Sequence, residues 1–205
     1  MNRLFIIGAG GHSRVVIECA VQNNYKIEGI IDINYQNTPE KILNNDVIGN
    51  LDALEGMLDI NVFIALGDNE ERKVVHEHCS SKGFKIVNLI HPNAIVSNTE
   101  TTFGEGIYIG SGAIINPCVS INNGTIINTG AIVEHEVTIG SFSHIAPGTK
   151  IAGRVSVGDL SFLGIGSCII DKVKIGSNVT VGAGSVVTKD INNNLTVVGV
   201  NKITS

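Results

Sequence analysis

Tryptophan is absent from this 205-residue chain, and aromatic residues make up only 4% of it. Glycine is frequent at 24 residues, and that profile suits a fold with many tight turns and small, repeated interior layers. Charged residues are few, 16% against 43% hydrophobic, so the chain is globular and not disordered. No run of Lys or Arg occurs and the net charge is -5, which argues against a nucleic-acid or anionic-membrane partner. The four cysteines (Cys19, Cys79, Cys118, Cys168) lack metal or disulfide spacing, as expected in a reducing cytoplasm. No stretch approaches the ~20 apolar residues that span a bilayer. The apolar run in the opening MNRLFIIGAGG is too short for a signal peptide. A cytoplasmic protein that needs no metal is expected.

What is present falls into two halves. Over 1–90, short apolar runs alternate with helical spacing. LFIIG (4–8), IEGIID (27–32), VFIAL (62–66) and KIVNLI (85–90) read as strands. Helices are predicted over 12–24, 52–58 and 69–82. That alternation implies a small parallel, Rossmann-like sheet with βαβ crossovers. His91-Pro92 marks the boundary, because the residue before proline avoids helix. The domains are therefore 1–91 and 92–205.

Beyond the boundary the period is six. Ile109, Ile115, Ile121, Ile127, Val133, Ile139, Ile145, Ile151, Val157, Leu163, Ile169, Ile175, Val181 and Val187 are fourteen aliphatics in unbroken register, with Phe103 preceding them. Two residues before each sits a small or β-branched residue, such as Ala113, Val119 or Thr125. The next position is often Gly or Asn, expected to supply the positive φ of tight corners. One hexad cannot bury its own apolar face, so hexads must stack into a parallel β-helix over 103–189. A period of six does not hold one face of a 3.6-residue helix.

The iterated hexad, quoted as VTIGSF, VKIGSN and VTVGAG, resembles the hexapeptide-repeat acyltransferases. The resemblance implies a left-handed β-helix with three hexads per coil, a homotrimer, and acetyl-CoA bound between subunits. The opening GAGGHSRVV, the segment NTGAIVEHEVTIGSFSHIAPG and the closing VGAGSVVTKDI narrow it. Together they resemble the sialic-acid O-acetyltransferases and the nucleotide-amino-sugar N-acetyltransferases of bacillosamine, perosamine and viosamine type. Similar enzymes often end in a Gly-Val-Pro-Ala-type turn near CoA; here Asn201 replaces the proline.

His135 in IVEHEV belongs at an outer corner, two positions past the inward Val133. Acetyl transfer needs a base with a pKa near working pH, and a neighbouring carboxylate can orient an imidazole. The resemblance implies that His135 is the general base and Glu136 its orienting acid. It places His144 at the CoA or acetyl site, the Gly153 N–H at the thioester carbonyl, and Ile165, Gly166, Ala183 and Gly184 along pantetheine. GAGGHS follows a strand and opens a helix, a context that cradles phosphate. Ser13 replaces the last Gly of G-x-G-x-x-G. The half is also small beside a dinucleotide-binding sheet, so a single nucleotide diphosphate fits better than NAD. The resemblance implies that Gly10, Gly11, His12 and Asp32 bind the nucleotide sugar. His91 reads as structural, and His76 and His78 as surface residues on different sides of a helix, unsuited to a metal.

The expected activity is acetyl-CoA-dependent N-acetylation of a nucleotide-linked 4-amino-4,6-dideoxy sugar, in O-antigen or other surface-glycan biosynthesis. O-acetylation of a sialic-acid-type sugar and a non-catalytic β-helical nucleotide-binding scaffold are the alternatives. The same base and helix would serve an amine and a hydroxyl alike.

Overall fold

The structure is a computed structural model and describes residues 2–200. The chain divides into two compact units, Met1–Pro92 and Asn93–Ser205.

The first unit contains β1 (Asn2–Ile7), α1 (Gly11–Gln22), β2 (Tyr25–Ile31), β3 (Lys41–Ile42), β4 (Asn45–Gly49), β5 (Asn61–Ile64), α2 (Asn69–Ser81) and β6 (Lys85–Ile86). Its sheet has the order β3-β4-β2-β1-β5-β6. Every pair is parallel except β3 with β4. The β3–β4 hairpin is an addition to the expected strands. Its two-residue turn, Leu43-Asn44, takes positive φ at both positions (47° and 66°). Asn-Gly usually marks that geometry, and Leu-Asn does not announce it. The expected helix over 52–58 is a single 3-10 turn, Leu51–Leu54. The run 85–90 divides into β6 and a second short strand, Leu89–Ile90.

Alternation along the strands sends side chains to both faces of this sheet. Phe5, Ile7, Ile31, Val62 and Ile64 pack with Val75 and Cys79 of α2. Leu4, Ile6 and Ile30 have the opposite parity and are buried, and α1 buries Val16, Ile17, Cys19 and Ala20. The buried stripe of α2 is Arg72, Val75, His76 and Cys79. His76 is thus inside, not on the surface as the sequence suggested, because it sits at core spacing with Val75 and Cys79.

In the second unit each hexad contributes one two-residue strand. From Thr102 to Val187 strands pair in parallel with partners eighteen residues away, as Ile127 does with Ile145 and Val133 with Ile151. Three hexads therefore make a coil, and the coils form the faces of a left-handed parallel β-helix. All fourteen aliphatics are buried, and so are the residues two positions before them.

The corners differ from expectation. From Ile109 to Val181, positive φ falls three positions after each aliphatic, not one. One column of corner residues is Glu100, Cys118, Glu136, Arg154 and Lys172; another is Gly112, Gly130, Gly148, Gly166 and Gly184. The glycines directly after the aliphatics answer a different demand. A Cβ on Gly110, Gly140, Gly158 or Gly164 would lie 2.5–2.8 Å from a backbone nitrogen of the next coil. Close stacking of coils requires those glycines.

Candidate active site

His135 sits at a corner whose backbone is pinned from both sides. Its carbonyl accepts from Arg154 N (3.0 Å), and Glu136 N donates to Pro117 O (3.2 Å). Glu136 holds φ 60°, an uncommon conformation for a non-glycine residue. The imidazole projects outward, its side chain 50% exposed, and Nδ1 lies 2.9 Å from Glu136 Oε2. An ionised carboxylate only accepts, so Nδ1 carries a hydrogen, and in the neutral ring Nε2 keeps its lone pair. The pair is too exposed to stabilise the fold much. Its consequence is chemical: the ring is held as the tautomer that can take a proton at Nε2. Gly153, one coil on, is buried beneath that ring; a Cβ there would lie 2.6 Å from His135 Cε1 and 2.7 Å from Nε2.

His144 lies on a different face, in the strand His144–Ile145, paired with Ile126 and Phe162. It is buried. Asn128 Nδ2 is 3.1 Å from its Nε2, and the Phe162 ring packs edge-on at 5.1 Å. Thr129 N donates to Asn128 Oδ1 (2.8 Å), which turns the amide so that Nδ2 faces the imidazole. Asn128 Nδ2 therefore donates to His144 Nε2. Sequence reading missed Asn128. It occupies the Asn-or-Gly position after an aliphatic, where nothing local separates a turn residue from a histidine partner. Ile165, Gly166, Ala183 and Gly184 are all exposed at or beside the glycine corner, and Gly184 N donates to Ile165 O (2.8 Å). No heavy atom approaches within 4 Å of the place a Cβ would take on Gly166 or Gly184. Asn201 lies outside the described residues.

In the first unit, Gly10, Gly11, His12 and Asp32 line one cavity of about 450 Å³, with Glu40, Leu66, Gly67 and Glu71 among its other walls. It opens at the carboxyl ends of β1, β2 and β5, where chain order reverses about β1 and where ligands of open α/β sheets bind. The departure at Ser13 has a structural role. Its buried hydroxyl donates to Gly10 O (2.6 Å) and closes the turn. Arg14 Nη1 donates to the same carbonyl (3.0 Å). Gly10 caps α1, and among the described residues no side chain bonds the cap. The first N–H groups of α1 thus face the turn that lines the cavity, an arrangement suited to phosphate. Asp32 Oδ1 accepts from Asn34 N (3.0 Å), which holds the turn after β2. Glu40 and Glu71 were not foreseen, since they reach this cavity from the hairpin approach and from α2. Among the described residues, no group of three His, Cys, Asp or Glu side chains is placed to hold a metal ion. No described helix is long and apolar enough to cross a membrane.

A hexapeptide-repeat β-helix preceded by a small, mainly parallel α/β sheet is the class these features define. Residues 3–79 match the PglD N-terminal domain family, and 154–189 match the bacterial transferase hexapeptide family. The chain is similar to PerB from Caulobacter crescentus, solved in complex with CoA and GDP-perosamine. That match has 37% identity and a TM-score of 0.91, over 97% of this chain and 95% of that one. It is also similar to the acetyltransferase domain of PglB from Neisseria gonorrhoeae in complex with acetyl coenzyme A, at 33% identity and TM-score 0.90 over 97% of both chains. WeeI from Acinetobacter baumannii shares the fold, with TM-score 0.88 and 23% identity over 97% of both chains. The chain belongs to the hexapeptide-repeat sugar acetyltransferase family that includes the nucleotide-amino-sugar N-acetyltransferases, and it is an acetyltransferase.

Proposed function

We propose that the protein transfers an acetyl group from acetyl-CoA to the amine of a nucleotide-linked 4-amino-4,6-dideoxy sugar, as a cytoplasmic homotrimer serving surface-glycan synthesis. The observation that carries the reading is the 2.9 Å contact between His135 Nδ1 and Glu136 Oε2, which leaves Nε2 as a base. The ligands of PerB, CoA and GDP-perosamine, supply the substrate classes.

His135 Nε2 takes a proton from the attacking amine as its nitrogen bonds to the thioester carbonyl carbon. The Gly153 N–H donates to the developing oxyanion. The C–S bond breaks, and CoA leaves as a thiolate that takes up a proton. Both substrates are bound together, so no covalent enzyme intermediate is needed. The nucleotide diphosphate lies on the turn of Gly10, Gly11 and His12, with Asp32 on the ribose or base. His144 lines the acetyl site, and Ile165, Gly166, Ala183 and Gly184 line pantetheine.

The test is CoA release with a panel of UDP-, GDP- and dTDP-linked amino sugars, comparing wild type with His135→Ala. Wild type is expected to turn over at least one, and the variant to fall by about 10²-fold or more. Wild-type turnover in the variant overturns the base assignment. Acetylation of a sialic acid, indifferent to added nucleotide, overturns the substrate class in favour of O-acetylation. Light scattering should give three times the chain mass.

A further inference from the structure

Arg72 occupies a place where a helix normally buries an apolar side chain. It belongs to the inner stripe of α2 with Val75, His76 and Cys79, and it is 1% exposed. Its guanidinium turns back under the preceding loop. Nη1 donates to three successive carbonyls, Leu66 O (3.0 Å), Gly67 O (3.2 Å) and Asp68 O (3.1 Å), and Nη2 donates to Asn69 Oδ1 (2.7 Å). Leu66 and Gly67 are walls of the 450 Å³ cavity. The loop does not need this guanidinium to start the helix, because Asp68 already caps α2 through Glu71 N (2.9 Å).

The cavity's titratable lining is Asp32, Glu40, Glu71 and His12. Three carboxylates facing a nucleoside diphosphate would repel it, and loop carbonyls turned toward it would add to that repulsion. Arg72 answers both problems. It draws the Leu66, Gly67 and Asp68 carbonyls onto itself, and it sets a cation just behind the wall. Burial pulls its pKa down to about 10, which still leaves it charged at neutral pH. In so dry a place its field is weakly screened.

We propose that Arg72 is a positioning residue for the diphosphate of the nucleotide substrate, shaping the Leu66–Asp68 loop and offsetting the cavity's acids from behind it. The inference rests on reading that cavity as the nucleotide-sugar site. Arginine suits the task through its fork of donors, which lysine and methionine lack.

The experiment uses the full chain, wild type, Arg72→Lys and Arg72→Met. It measures KM for the best nucleotide amino sugar, KM for acetyl-CoA, and competitive inhibition by the nucleoside diphosphate and by the bare nucleoside. In Arg72→Met, KM for the nucleotide sugar and Ki for the nucleoside diphosphate should each rise about tenfold or more, the scale of a charge-assisted contact. Ki for the nucleoside and KM for acetyl-CoA should stay within about twofold, because neither measures the diphosphate in this cavity. Arg72→Lys keeps the charge without the fork and should fall between, about threefold. If the methionine variant does not fold, the lysine variant decides by the same ratios. A folded variant whose diphosphate and nucleoside constants move together, or not at all, overturns the role. If wild type binds none of UDP, GDP or dTDP, the cavity reading itself falls. If wild type binds one and the variants bind it equally, only the assignment of Arg72 falls.

Discussion

The imidazole of His135 rests over Gly153, eighteen residues later in the chain, so closely that a methyl group on Gly153 would sit 2.6 Å from Cε1. Gly153→Ala must therefore push the ring aside. Because that ring is half exposed, it can move without disturbing the core. The melting temperature of Gly153→Ala should stay within a few degrees of wild type. Turnover should fall about tenfold or more as Nε2 leaves its place. A variant with wild-type turnover would show that the position of the ring over Gly153 is unimportant.

Glu136 holds the His135 tautomer, so its loss should act on rate more than on stability. Glu136→Gln is expected to lower kcat by about tenfold, with little change in KM for either substrate. An unaltered kcat with a raised KM would instead make Glu136 a binding residue.

Glu28 gives the first unit a pH-dependent contribution. Arg3 donates a hydrogen bond to its carboxylate (2.6 Å) and Lys26 forms an ion pair with it (3.1 Å), and together they hold its pKa at about 2. An unfolded glutamate titrates near ~4.3. Because the folded value is the lower one, the contribution is complete above ~4.3 and disappears as the pH falls toward about 2. The melting-temperature gap between wild type and Glu28→Gln should be constant from pH 7 to 5 and narrow below ~4.3. A gap that widens on acidification contradicts the assignment.

Thiol labelling should divide the cysteines in two. Cys19 and Cys79 are buried at 0% exposure, and burial pushes both thiols up to about 12. At pH 7.5 the folded protein should label at Cys118 and Cys168 only, with all four reacting in denaturant. Mass spectrometry finding early modification of Cys79 would mean that α2 opens readily from the sheet.

Much of the fold was legible because each hexad states its own geometry. An aliphatic every sixth residue, with a small or β-branched residue two positions before it, needs only local chain to be seen. The strand-helix alternation of 1–90 was equally local. The hairpin of β3 and β4 was not, because Leu43-Asn44 adopts a turn that glycine ordinarily marks. The glycines after the aliphatics were visible but given the wrong reason. Their need comes from the neighbouring coil eighteen residues away, which no local window contains.

By itself the sequence determined the repeat, the outward corner at His135 and the glycine turn after β1, since period and turn chemistry are written into short stretches of chain. Only the tertiary structure decided what those features meet. Coil stacking brings Gly153 beneath His135 and sets Asn128 against His144. Strand order gathers Gly10, Asp32 and Glu71 around one cavity. Helix packing buries Arg72 behind its wall. Each of these contacts joins residues whose approach depends on how separate segments stack, and stacking is a property of the folded whole.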